Sequence, residues 1–269
     1  MNKKYIIYAP GYSGSNGIRA LYKLHDLLRA RGQESYVFCL GRQVDGYNYV
    51  DKCSRDMREN DIVIYPEVVV GNPLRFRRVV RWVLYYPGVL GGTPAYHPSE
   101  TVFTWARQYC DAPVLSVPSI DTSLFFDPGL PKTQDCYFVH KGGKWRDLEE
   151  VDGLMEINMD FPKTREQLAE ILKTTGTLYS FDPHSALNDE AKVCGANVRL
   201  VTPDGHVGFE REDEDPDLFG RQLDFFIEAT QGLALASVME KSPLPERLKM
   251  SLRVLRAILY RKWHIKNQK

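Results

Sequence analysis

Tyr5-Ile6-Ile7-Tyr8-Ala9-Pro10-Gly11-Tyr12-Ser13-Gly14-Ser15-Asn16-Gly17 is the stretch on which the fold turns. Tyr5–Ala9 is a short apolar run that ends at Pro10-Gly11, the pattern of a buried β-strand. A glycine-rich turn follows. Ile18, Leu21, Leu24, Leu27 and Leu28 then recur at helical spacing up to Gly32, a glycine placed to stop the helix. Strand, glycine turn and helix in that order open a βαβ unit.

The rhythm continues outward. Ser35–Leu40 reads as the second strand and Asp61–Tyr65 as the third. Leu74–Leu84 is predicted helical, with arginines on one face. Val102–Trp105 and Val114–Val117 are predicted as short strands. Alternating elements of this kind make a parallel sheet with helices on both faces. Pro118–Thr133, with Pro118, Pro128, Gly129 and Pro131, reads as a linker. A second series follows it. Cys136–His140, Met155–Asn158, Thr177–Ser180 and Asn197–Val201 are its strands. Thr164–Thr174, Asn188–Cys194 and Leu218–Lys241 are its helices. Thr164 and Gln167 have the spacing of a capping box, and Leu168, Ile171 and Leu172 form an apolar stripe behind it. The expected organisation is an α/β protein of two Rossmann-like domains, 1–125 and 134–241, facing a cleft, with a separate basic tail at 245–269. In open parallel sheets ligands lie at the carboxyl ends of the strands, so loops of both domains are expected to line that cleft.

Composition narrows the function classes. The 269 residues suffice for two compact domains, and 43% are hydrophobic. Lysine plus arginine equals aspartate plus glutamate at 35 each, so net charge gives no case for a nucleic-acid partner. Cys39, Cys53, Cys110, Cys136 and Cys194 are scattered without a CxxC pair, which fits reduced thiols in a cytoplasmic protein. The first residues read as a strand and not as a signal peptide. No run approaches the length of a membrane span. The first loop is spaced G-x-x-G-x-x-G, not G-x-G-x-x-G, and the second strand ends without an acidic residue for a dinucleotide ribose. Gly11, Ser13 and Gly14 there can admit a phosphate, an acceptor or simply a neighbouring loop. There is no P-loop, HExxH, DxD-like metal pair or G-x-S-x-G elbow. Asp213-Glu214-Asp215 reads as a solvated acidic face.

The chemistry concentrates in Tyr179-Ser180-Phe181-Asp182-Pro183-His184-Ser185-Ala186-Leu187-Asn188-Asp189-Glu190-Ala191. Asp182 falls just beyond a strand and Glu190 inside the next helix. Between them lies a helix start, where free N–H groups, with His184 and Ser185, can hold a diphosphate. Glu190 is then placed for ribose hydroxyls and Asp182 for the sugar. Read structurally, the same two residues are a turn residue and a surface helix charge.

This stretch resembles the E-x7-E element of retaining GT-B glycosyltransferases, with Asp182 and Glu190 in the two acidic positions. Gly195-Ala196-Asn197-Val198 resembles the end of that element. Val117-Pro118-Ser119-Ile120-Asp121-Thr122-Ser123-Leu124-Phe125 resembles the phrase that closes the family's first domain. Ile62–Glu67, Gly71-Asn72-Pro73 and Tyr86-Pro87-Gly88 are similar to phrases of bacterial surface-polysaccharide transferases. The resemblance spans roughly residues 1–205. It departs at the first acidic position, an Asp and not a Glu, and the family's basic phosphate pair is not clearly present. Lys141, Lys144 and Arg146 follow the second domain's first strand and can supply that charge. The resemblance implies transfer of a sugar from a nucleotide-sugar donor to a glycan or lipid-linked acceptor, without metal or other cofactor, and retention of configuration. Glu67 and His97, at strand-to-loop junctions of the first domain, are the candidates for acceptor binding or base catalysis. A non-catalytic glycan- or nucleotide-binding subunit and a sugar-nucleotide epimerase are the alternatives.

The tail adds a location. From Glu246 to Lys269 it carries eight lysines and arginines against Glu246 alone, and Leu248, Leu252, Leu255, Leu259 and Trp263 share one helical face. A basic amphipathic helix of this kind suits an anionic membrane surface, which predicts a cytoplasmic protein peripheral to the inner face of the membrane. Packing of the same apolar face on the first domain is the other expectation.

Overall fold

The computed structural model describes residues 2–118, 120–140, 143, 147, 151–209 and 216–236. It is a mixed α/β protein with two sheets, both parallel in the main. The chain divides into two compact units. One runs to Val117 and includes the helix at Pro216–Gln231; the other begins at Pro118.

The first sheet contains β1 (Tyr5–Ala9), β2 (Ser35–Cys39), β3 (Ile62–Pro66), β4 (Arg78–Val83) and β5 (Thr101–Thr104), all parallel, in the order β2-β1-β3-β4-β5. Residues of β1 alternate between two cores, as the period of two along a strand requires. Tyr5, Ile7 and Ala9 join Leu21, Leu24 and Leu28 of α1 (Asn16–Ala30) on one face. Ile6 and Tyr8 join Val63, Tyr65, Leu74 and Phe76 on the other, with Met57 of the short α2 (Arg55–Asn60) packed against them. The helical spacing from Ile18 onward thus serves a real buried stripe. Gly32 follows the helix at φ 73°, where a left-handed residue ends it.

Leu74–Leu84 is not a helix. Val79-Val80-Arg81-Trp82-Val83 forms a strand buried on both faces, in keeping with its β-branched and aromatic residues. The arginine that sequence periodicity assigns to an exposed face, Arg81, is enclosed. Its guanidinium donates to both oxygens of Glu100 at 2.9 and 3.0 Å and to the carbonyls of Pro66, Val69 and Gly71. Val114 makes only an isolated bridge to Thr104, so Val114–Val117 is not a strand of the sheet.

The second sheet contains β6 (Gln134–Phe138), β7 (Met155–Glu156), β8 (Thr175–Ser180), β9 (Asn197–Thr202) and β10 (Gly205–Gly208). Its order, β7-β6-β8-β9-β10, repeats that of the first sheet. Only β10 is antiparallel, forming a hairpin with β9. Helices α3 (Arg165–Thr174) and α4 (Ala186–Val193) pack on one face through Leu168, Leu172, Leu187 and Ala191, against Cys136, Phe138, Leu178 and Val198. The two crossovers advance across the sheet in one direction, and right-handed connections then require one face. The expected Thr164–Gln167 capping box is present, with both of its bonds formed.

The last described helix, α5 (Pro216–Gln231), was expected to finish the second domain. It packs instead on the first. Phe226 lies against Tyr5 and Phe103, Tyr5 Oη bonds Thr230 Oγ1 at 2.8 Å, and Arg31 pairs with Asp224. The expected domain range 134–241 therefore overstates the second unit. The tail at 245–269 and the acidic run at 210–215 lie outside the described residues.

Candidate functional site

In both sheets the order reverses next to the first strand: between β1 and β3 in one unit and between β6 and β8 in the other. Loops leaving adjacent strands in opposite directions open a crevice at the carboxyl edge, where open α/β sheets bind ligands.

At that edge of the second unit, β6 and β8 run in parallel with Phe138 opposite Ser180. Two residues further on, His140 and Asp182 meet. His140 Nδ1 lies 2.8 Å from Asp182 Oδ2. Asp182 is 3% exposed, while the imidazole is 33% exposed. Asp182 Oδ1 accepts the backbone N–H of His184 at 3.2 Å, so both carboxylate oxygens are engaged. Its carbonyl accepts from Ser180 Oγ, from the N–H of Ser185 and from Asn188 Nδ2. Ser185 caps α4 by accepting from the N–H of Leu187, and the other side-chain atom of Asn188, Oδ1, is buried without a hydrogen-bond partner. The His140 ring also stacks on Phe138, with centroids 5.4 Å apart. Its backbone is left-handed, at φ 39°, an uncommon conformation for a residue other than glycine.

Glu190, in the second turn of α4, is 2% exposed. It holds the guanidinium of Arg165, itself 29% exposed, through two bonds of 2.9 and 2.6 Å. Arg165 is the first residue of α3 and lies over the Phe125 ring, 4.4 Å from its centroid. In a parallel βαβ unit the helix start lies at the carboxyl edge, so Arg165, Ser185, His140 and Asp182 share that edge. Each member of the acidic pair is thus buried and holds a base that reaches solvent. This differs from the expectation that Asp182 and Glu190 meet the ligand directly. Cationic or hydrogen-bond-donating groups at a helix start make an anion the chemically matched occupant.

Two of these residues were not picked out in the sequence. Strand register reveals His140: if Phe138 faces Ser180, residues 140 and 182 leave the sheet side by side. Arg165 has no such signal, because its partner is 25 residues away. Gly195 of the resemblance has a local reason, φ 81° and a would-be Cβ 2.4 Å from Asp127 Oδ2. His184 is exposed. Lys141, Lys144 and Arg146 lie outside the described residues.

In the first unit, Glu67 is buried at the end of β3, where Oε2 accepts the N–H of Leu84 at 2.9 Å. Burial pushes its carboxyl above the ordinary value, while the backbone bonds and Arg81 oppose that shift. His97 is half-buried, with Nδ1 2.7 Å from Ser99 Oγ. Glu67 and His97 keep separate partners. In the first loop, a Cβ on Gly11 would lie 3.0 Å from the nitrogen of Arg42, and one on Gly41 would lie 2.8 Å from that of Gly11. A side chain at position 11 would thus crowd the backbone of the neighbouring loop at Arg42. Gly14 faces open space, and Ser13 Oγ accepts from the N–H of Ser15 at 3.4 Å.

Among the described residues, no cluster of three or more His, Cys, Asp or Glu is placed to hold a metal, and no helix is long and apolar enough to cross a membrane. No protein-family model matches the chain, and no curated protein matches it.

Proposed function

We propose that this protein is a glycosyltransferase of the two-domain GT-B kind, moving a sugar from a nucleotide-sugar to a glycan or lipid-linked acceptor. The donor's diphosphate lies at the carboxyl edge of the second unit. The observation that carries this is the pair of buried carboxylates, Asp182 and Glu190, each tethering a part-exposed base at that edge. Arg165, the start of α4 and the basic residues Lys141, Lys144 and Arg146 neutralise the diphosphate. No metal or other cofactor takes part, because these groups do the electrostatic work that a leaving diphosphate needs. His97 serves the acceptor from the first unit, and Glu67, 4% exposed and accepting the N–H of Leu84, ties the ends of β3 and β4 without touching it. The tail at 245–269 holds the protein to the anionic inner face of the membrane, near lipid-linked acceptors.

A thermal-shift screen of nucleoside diphosphates and nucleotide-sugars tests the proposal. A ligand at about 100 times its Kd adds about 2.7 kcal/mol to the stability of the unit that binds it. One base should therefore raise the melting temperature clearly, with and without EDTA, and its nucleotide-sugar should be turned over. A flat screen would overturn the donor assignment. Binding without turnover identifies a non-catalytic subunit, and epimer formation without acceptor an epimerase.

A further inference from the structure

We propose that His140 is the cation that meets the leaving diphosphate, and that Asp182 acts only through it. This rests on the donor assignment above; the resemblance assigns no role to His140.

Asp182 cannot be the group that faces a ligand. It is 3% exposed, and its two oxygens accept from His140 Nδ1 and from the N–H of His184. Its charge reaches the site through the imidazole. A carboxylate is an acceptor only, so Nδ1 carries the proton in that bond. Nε2 is the ring nitrogen left for a ligand. The ring is fixed from two sides, by Asp182 and by the stacked Phe138. The third constraint is the backbone at φ 39°, a conformation kept by a histidine where a glycine would be easier.

Among the described residues, Asp182 is the carboxylate hydrogen-bonded to the ring, and Asp182 also receives the N–H of His184 beside the capped start of α4. A negative partner on one side and a helix start beside it match an imidazolium that meets an anion. In the transfer step the bond between the anomeric carbon and the diphosphate oxygen breaks, and its electron pair leaves with that oxygen. The acceptor oxygen bonds to the carbon, and its proton ends on the released diphosphate or in solvent. His140 keeps both ring protons and donates a hydrogen bond from Nε2 to the oxygen that gains charge.

Ring-15N histidine NMR on the full chain tests this, with inorganic pyrophosphate and nucleoside diphosphates as probes. Each probe should bring one imidazole to the doubly protonated state, and that signal should be missing in His140→Gln. His140→Gln should bind the diphosphate roughly ten- to a hundredfold more weakly, the scale of one charged hydrogen bond. His140→Gly adopts the left-handed backbone without steric strain, and imidazole in the buffer can replace the lost partner of Asp182, so it should lose turnover and recover part of it with imidazole. Asp182→Asn should leave the ring neutral in the complex. A His140 ring that stays neutral with a bare Nε2 would overturn the inference, as would a His140→Gly enzyme that needs no imidazole. If nucleotide-sugars bind and leave His140 unaffected, the inference fails and the donor assignment stands. If pyrophosphate protonates His140 and no nucleotide-sugar binds, the charge assignment stands and the donor assignment fails.

Discussion

Arg165 grips Glu190 with both ends of its guanidinium: Nη1 lies 2.9 Å from Oε2 and Nη2 lies 2.6 Å from Oε1. The bond joins the first residue of one helix to the second turn of the next, on the face where Leu168, Leu172, Leu187 and Ala191 pack. The other side of the guanidinium rests on Phe125. Glu190 is therefore a structural anchor before it is anything else.

Read from sequence as a side chain for ribose hydroxyls, Glu190 would be dispensable for folding. As the buried half of an ion pair it is not. Glu190→Ala should destabilise the second unit by on the order of 3 kcal/mol, the scale for breaking a buried pair from one side. Adding Arg165→Met should recover part of the loss, because no charge is then left unpartnered. Urea unfolding of the single and double variants checks this. Equal stability of Glu190→Ala and wild type would remove the anchor role.

Arg81 and Glu100 make the corresponding test in the first unit. Both side chains are 1% exposed, and Arg81 also holds the carbonyls of Pro66, Val69 and Gly71. Glu100→Gln keeps the shape and removes the counter-charge. It should cost about 3–5 kcal/mol, since it leaves a buried guanidinium without its carboxylate. Arg81→Lys should cost a similar amount, because one ammonium cannot reach that fork of acceptors. A denaturation midpoint unchanged in either variant would mean that the pair is not what fixes the loop after β3.

The strands β1, β2, β3, β5, β6, β7, β8 and β9 and the helices α1, α3 and α4 were readable because short apolar runs and helical stripes face cores that the structure contains. β4 was misread for a physical reason. Arg78 and Arg81 interrupt its apolar run, and a buried arginine looks like a surface residue until its partner, Glu100, is known. The destination of α5 was unreadable because Phe226 and Thr230 find Tyr5 and Phe103 across most of the chain. In the candidate site, Asp182 and Glu190 were readable as a spaced pair. Their partners were not, because His140 and Arg165 reach them through sheet register and helix packing.

The tail prediction follows from sequence. Arg247, Lys249, Arg253, Arg256, Arg261, Lys262, Lys266 and Lys269 accompany the Leu248–Trp263 stripe. Each basic residue near an anionic surface adds about 1 kcal/mol, and salt screens that attraction. Liposomes containing anionic lipid should therefore float the protein at low salt and release it at high salt, and removal of residues 246–269 should abolish flotation. Flotation that ignores lipid charge, or survives the truncation, would place the membrane contact elsewhere.

Glu67 gives a pH dependence whose sign can be worked out. Burial raises its carboxyl above 4.5, and the N–H of Leu84 and Arg81 only partly offset this. A carboxyl with a raised folded-state value binds its proton more tightly in the native protein than in the unfolded chain. Its contribution to stability is therefore full below the unfolded value and is lost as pH rises through the folded one. Stability should fall as pH climbs through the window just above 4.5. Asp61, raised by burial as well, adds a slope of the same sign, so wild type alone does not isolate Glu67. Glu67→Gln does. The amide oxygen can still accept the Leu84 N–H, and no titration remains at that position. The difference in unfolding free energy between Glu67→Gln and wild type should grow in favour of the variant from about pH 4 to about pH 7. Urea midpoints measured across that range check it. Two curves that run parallel would mean that Glu67 ionises as easily in the fold as outside it, and that its burial carries no charge cost.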